Sequence, residues 1–169
     1  MTALDLALKR WPIFALVISA AMLAIAHAFQ TFGHLAPCHL CLKEREVYWA
    51  AMAISAVAIV AGVSPLHNRG TRLGCAVLVL AFGYSAYLAG FHAGAEWKWW
   101  PAPETCSSTG PVNLSALKAL LAGAGAAAPK CDQAAWVFLG LSMAGWNCLI
   151  SVGLTLASLA AAVRKGTSA

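Results

Sequence analysis

In "PCHLCLKER" the sequence sets Cys38 and Cys41 three positions apart and puts Arg45 four positions after the second. Closing so short a loop with a disulfide removes little chain entropy, so stapling is a poor reason for the pair. The spacing belongs to thiols that exchange disulfides and are kept reactive by their surroundings. If a helix begins near Leu40, Cys41 falls in its first turn, where the positive end of the helix dipole favours a thiolate. Arg45 then comes round to the same face and adds a permanent positive charge. A thiolate beside that charge, at the edge of a hydrocarbon layer, can pass two electrons to an acceptor dissolved in lipid. A quinone is the natural acceptor, with Arg45 stabilising the negative oxygen that develops on it.

Two further cysteines, Cys106 and Cys131, stand in a turn-rich connection, whereas Cys75 and Cys148 lie inside apolar runs and read as small packing residues. In an oxidising compartment the four outer cysteines allow three pairings. We take Cys38 with Cys41 and Cys106 with Cys131, because the second pair closes one loop. Closure of a loop of that length stabilises by about 3 kcal/mol, which leaves a purely structural staple open for Cys106 and Cys131. His34, Cys38, His39 and Cys41 also offer a ligand set for Cu(I) or Zn(II), so a metal-handling membrane protein is the alternative of a different class. No series of intramembrane cysteines or carboxylates marks a transport path. The pair also lacks the trailing His of a c-type haem site, and no metal is expected.

These groups need elements to hold them, and the composition says of what kind. Of the 169 residues 61% are hydrophobic and 10% charged, with a mean hydropathy of +0.74, too apolar for a soluble domain. Four runs free of Asp, Glu, Lys and Arg, at about 11–31, 47–63, 73–95 and 134–163, cross or nearly cross roughly 30 Å of hydrocarbon at 1.5 Å per helical residue. The expected fold is all-α: a single integral membrane four-helix bundle over 1–169, with outward-facing loops at about 32–46 and 96–133. In the second loop, "NLSALKALLAG" puts Leu114, Leu117, Leu120 and Leu121 on one side of a short surface helix.

Lys9, Arg10, Arg69, Arg72, Arg164 and Lys165 sit in the tails and the middle loop, which places both termini in the cytoplasm and the cysteine loops outside. The net charge of +5 follows from this asymmetry and carries no nucleic-acid meaning. Trp49, Trp97, Trp99, Trp100 and Trp136 fall near the outer boundary as interfacial anchors. Lys9, Arg10 and "AHA" at 26–28 imitate a cleavable signal peptide. A retained helix is expected, because its loss would leave three helices to bury the remaining polar positions.

Taken in order, "PCHLCLKER", then Cys106 and Cys131, then "CDQAAWVFLGLSMAGW" leading into the fourth run make the chain resemble the disulfide bond formation protein B family over most of its length. The resemblance implies a protein-dithiol:quinone oxidoreductase of the bacterial inner membrane, with periplasmic redox loops. It implies a relay in which a reduced DsbA-like thiol oxidase attacks Cys106 and the released Cys131 passes the electrons toward Cys38 and Cys41. Cys41 then delivers them, as a thiolate or adduct, to ubiquinone or menaquinone from the membrane pool. By the same resemblance Arg45 matches the family's quinone-site arginine and Met143 a residue lining that pocket. The family's best-known members carry a histidine near the outer end of the third span. Here "GFHAGAEW" offers His92 and Glu96, four apart; His92 is taken as the quinone contact and Glu96 stays open for the same role. A vitamin K epoxide reductase-like quinone enzyme is the nearer alternative, but there the Cys-x-x-Cys follows the loop pair, and here it precedes it.

Overall fold

The computed structural model describes residues 3–63, 67–103, 106 and 130–164. In chain order these form α1 (Ala3–Lys9), α2 (Trp11–Thr31), α3 (His39–Gly62), α4 (His67–Glu96), β1 (Val137–Phe138), β2 (Leu141–Ser142) and α5 (Met143–Val163). The helices α2, α3, α5 and the Arg69–Glu96 stretch of α4 are each long and apolar enough to cross a membrane. The chain is therefore a multi-pass all-α membrane bundle, as its composition requires. The surface helix expected from "NLSALKALLAG" lies outside the described residues.

Hydropathy places the helix ends less well than the helices. The structure starts α3 at His39, one residue before the Leu40 start considered for the Cys-x-x-Cys turn and well before the apolar run at 47, because the start is set by a cap and not by where the apolar run begins. Cys38 is extended (φ −75°, ψ 172°) and its Sγ accepts the Cys41 backbone N–H at 3.2 Å, as an N-cap side chain does. The charged turn that follows is helical with Lys43 paired to Glu46 at 2.8 Å on the exposed side, while Glu44 turns inward and is buried. The middle connection likewise gives way to helix earlier than expected, at His67.

The fourth run differs in the opposite sense. Its apolar residues predict one helix from about 134, yet α5 begins only at Met143. Leu139 and Gly140, with φ of 51° and 80°, form a two-residue turn that pairs Val137 with Ser142 and Phe138 with Leu141, the geometry of tight hairpins with two positive φ values. Ser142 then caps α5 by accepting the Gly145 N–H at 3.1 Å. A hydropathy window cannot separate hairpin from helix here, because both are built from apolar residues.

Within the bundle α4 packs along both α3 and α5, and α2 along α3, whereas α2 and α5 scarcely touch. The α3–α4 approach is close: a Cβ on Gly74 would lie 2.4 Å from the Ala58 Cβ, the small-residue contact typical of helices in lipid. Trp11, Leu23, Tyr48, Leu78, Phe82 and Leu154 share one core. Cys75 is buried in the same core, and the Cys148 thiol points to the Ala86 carbonyl at 3.5 Å, so both serve packing. Buried hydrogen bonds tie the helices together: Trp11 Nε1 donates to Ser158 Oγ at 2.8 Å, and Ser85 Oγ lies 3.0 Å from Ser151 Oγ. Each such bond contributes about 0.6 to 2 kcal/mol in lipid.

Candidate active site

The two cysteine pairs meet at one end of the bundle. Cys38 and Cys41 are thiols whose sulfurs lie 2.7 Å apart, nearer than unbonded sulfurs rest and within reach of a bond. Cys106 and Cys131 are joined by a disulfide with a Cα–Cα distance of 5.4 Å. Cys38, Leu40, Cys106 and Cys131 form one buried cluster, with Cys41 and Phe91 packed against it. Thiol–disulfide exchange needs sulfur to reach sulfur, and this packing brings the pairs into each other's neighbourhood.

The segment after α4 holds the second pair in place. Trp100 stacks on Phe91 and donates its Nε1–H to the Phe91 carbonyl at 2.9 Å, over Gly94, where any Cβ would strike the indole ring. Lys98 Nζ binds Asp132 Oδ2 at 2.7 Å and its carbonyl at 2.6 Å, tethering the residue after Cys131 to the end of α4. The Lys98 ammonium holds the Asp132 carboxyl below its ordinary range. A lowered folded-state pKa means that the tether contributes fully above the usual Asp value and is lost only as pH falls through the lowered one.

Beside the first pair lies a cavity of about 350 Å³, between α2 and α5 at the end of the bundle that carries the cysteines. Met22, Leu23, Ala26, Phe29, Trp146 and Ile150 supply apolar wall, while Cys41, Arg45, His92, Glu96 and Met143 also border it. Ile25 and Phe138, on the same lining, are each 53% exposed, so the wall runs out onto the lipid-facing surface. Every site residue named from the sequence is thus accounted for: Cys38, Cys41, Arg45, His92 and Met143 line the cavity, and the Cys106–Cys131 disulfide packs against Cys38.

Details differ from the expectation. The sulfur that accepts from the helix N-terminus is Cys38, not Cys41. The Cys38 thiol is held below the ordinary cysteine range, chiefly by its hydrogen bond with the Cys41 side chain, with the Cys41 and Leu40 backbone N–H groups assisting and burial opposing. In the reduced protein the pH profile of Cys38 alkylation, followed by mass spectrometry, should therefore have its midpoint below that of an ordinary thiol. In Cys41→Ala the midpoint should move back up, since the largest cause of the lowering is gone. Arg45 borders the cavity but spends its fork on α2, donating to Gln30 Oε1 at 2.6 Å and to the Ala26 carbonyl at 3.0 Å. A guanidinium near the last turn of α2 also suits the negative end of that helix.

A buried polar set that the sequence reading missed completes the site. His92 Nδ1 donates to Glu44 Oε1 at 2.8 Å, Glu44 Oε2 accepts from Asn147 Nδ2 at 2.6 Å, and Asn147 Oδ1 accepts from the Tyr48 hydroxyl at 2.5 Å. With both oxygens accepting, Glu44 reads as an ionised carboxylate that fixes the imidazole tautomer. His92 Nε2, left with its lone pair, lies 3.6 Å from Cys38 Sγ. This is a thiol, a base and an orienting carboxylate in series, the arrangement that activates nucleophiles. The clue was available: an acidic residue beside Arg45 and a lone amide inside an apolar run both demand partners when buried in lipid. His34 and His39, which the metal alternative requires, are both exposed.

Fold and site together define a membrane thiol-redox protein, a helical bundle with two cysteine pairs beside a lipid-facing cavity. The profile of the family described as Disulfide bond formation protein DsbB matches residues 8–161, and the chain belongs to that family. Proteins named Disulfide bond formation protein B resemble it throughout. That of Albidiferax ferrireducens is 32% identical over 96% of this chain and 91% of its own length. That of Dechloromonas aromatica is 33% identical over 85% and 86%, and that of Methylococcus capsulatus 35% identical over 83% and 85%. Neither metal handling nor vitamin K epoxide reductase chemistry finds support in these relatives.

Proposed function

We propose that the protein is a dithiol:quinone oxidoreductase of the bacterial inner membrane, which reoxidises a DsbA-like thiol oxidase on the periplasmic side. The observation that carries the reading is the lining of one apolar cavity by Cys41, Arg45, His92 and Met143, with the Cys106–Cys131 disulfide packed beside Cys38. Its volume and mostly apolar wall suit a ring with an isoprenoid tail, and a wall that continues to the lipid-facing surface admits such a molecule from the side. The basic tails and middle loop support cytoplasmic termini, which puts the cysteine end outside.

The partner's thiolate attacks Cys106, forms a mixed disulfide and releases Cys131. The partner's second thiol then frees Cys106 and leaves as a disulfide. The dithiol left at Cys106 and Cys131 reduces the oxidised form of the first pair by a second exchange, which ends with Cys38 and Cys41 as thiols. His92, oriented by Glu44, accepts the Cys38 proton, and Arg45 keeps positive charge at the cavity. A bound quinone supplies a sink for two electrons and two protons.

Purified protein mixed with a reduced periplasmic thiol oxidase and a soluble ubiquinone analogue should lower quinone absorbance in step with loss of partner thiols, one quinone per dithiol. Absence of quinone consumption, or a rate that depends on added Cu or Zn, overturns the reading.

A further inference from the structure

Reducing a quinone takes protons as well as electrons, and one carboxyl in the cavity is placed to handle them. Glu96 ends α4 and borders the cavity. Its side chain is only 5% exposed, yet among the described residues Oε2 has no hydrogen-bond partner. The Ser142 hydroxyl is also near the carboxyl. Glu44 is the contrast: its side chain, 10% exposed, has both oxygens occupied by donors. An unpartnered carboxylate oxygen away from water is costly as a charge and far less so as a neutral acid. One turn earlier on the same helix, His92 Nε2 lies 3.7 Å from Glu96 Oε1 and 3.6 Å from Cys38 Sγ, so a single nitrogen stands between the thiol and the acid. The other ionisable groups round the cavity are Cys41, Glu44, Arg45 and Tyr48 of α3 and Lys130, the residue before Cys131.

We propose that Glu96 is the acid of the site, delivering its proton into the cavity and being recharged with the Cys38 proton by way of His92. The inference rests on the quinone reading above and adds the proton path to it. The balance is that of two thiols and one quinone giving one disulfide and one quinol. Each sulfur contributes one electron to the acceptor as the S–S bond forms, and two protons leave the sulfurs. Glu96 gives its own proton to one ring oxygen, and the Cys38 proton, moving to His92 Nε2 and on from the imidazolium, restores the acid. The Cys41 proton is released at a sulfur that itself borders the cavity and completes the other oxygen. Glu44, itself held by Asn147, holds the imidazole by Nδ1 so that Nε2 faces both the thiol and the acid.

Two readouts test it. Infrared spectra of the purified, quinone-free protein at neutral pH should contain a protonated-carboxyl stretch that shifts in heavy water. That band should vanish in Glu96→Gln and survive in Glu44→Gln. In the quinone assay Glu96→Gln should lose about 10²-fold in kcat, the usual range for removing a general acid, with KM for the quinone analogue little changed and part of the rate restored by Glu96→Asp. Retention of the Cys106–Cys131 disulfide and the native melting temperature shows that the variants are folded. A wild-type spectrum without the band, a band indifferent to Glu96→Gln, or an unchanged kcat in that variant overturns the proton path while leaving the oxidoreductase reading standing. A wild-type protein that consumes no quinone overturns the reading itself, and the infrared result then stands alone as a statement about Glu96.

Discussion

Cys41→Ala is expected to abolish multiple turnover with quinone, a loss of at least about 10³-fold, while leaving one oxidising equivalent in the protein. The reasoning follows from which bonds survive. The Cys106–Cys131 disulfide does not involve Cys41, so the variant should still oxidise one partner dithiol per molecule. It should then stop, because Cys38 alone cannot form the disulfide that accepts the next pair of electrons. Counting partner thiols lost per molecule separates this from general damage: one equivalent and a halt is the expected result, and none at all would mean that the second pair also had been disturbed. Repeated turnover by Cys41→Ala would show that electrons reach the acceptor from another sulfur. Cys75→Ala and Cys148→Ala supply the control. Both side chains serve helix packing and neither borders the cavity, so turnover should persist in each.

The cysteines could be read in advance because their chemistry is local. A Cys-x-x-Cys announces itself by spacing, and an arginine one turn on shares its face whatever the rest of the chain does. The four spans were legible for a related reason: lipid tolerates only backbones that satisfy themselves, so long apolar runs have few alternatives to helix. Hydropathy did not show the helix ends, because a single side chain decides them. The Cys38 sulfur and the Ser142 hydroxyl start α3 and α5, and neither changes the hydropathy of its neighbourhood. Least legible was the polar set around His92. Glu44 and Asn147 are 103 positions apart in sequence, and only the packing of α3, α4 and α5 shows that each is the other's partner. The sequence offered both Glu96 and His92 for one role; the structure lines the same cavity with both and gives them different surroundings. His92 is held by a carboxylate, whereas Glu96 keeps an oxygen free.

Glu44 should therefore matter to turnover, and two substitutions divide its roles. Glu44→Leu removes the acceptor of two buried hydrogen bonds, leaving His92 Nδ1–H and Asn147 Nδ2–H unpaired beside an apolar side chain. Each orphaned donor costs about 1 to 3 kcal/mol, so the melting temperature should fall along with turnover. Glu44→Gln keeps the shape. Its carbonyl oxygen can still accept from His92, and its amide then faces Asn147, whose own amide can turn over to present Oδ1. The Tyr48 hydroxyl, now facing Asn147 Nδ2, becomes the acceptor there and can donate instead to Ser151 Oγ, 3.1 Å away. The network thus closes again without the charge, and the melting temperature should change little. What glutamine cannot do is stabilise an imidazolium, the state His92 enters when it takes the Cys38 proton. Turnover should consequently fall by about 10²-fold or more in a variant that remains folded and still carries the Cys106–Cys131 disulfide. If Glu44→Gln turned over at the native rate, His92 would have no need of its carboxylate, and a proton route from Cys38 through that imidazole would have to be abandoned.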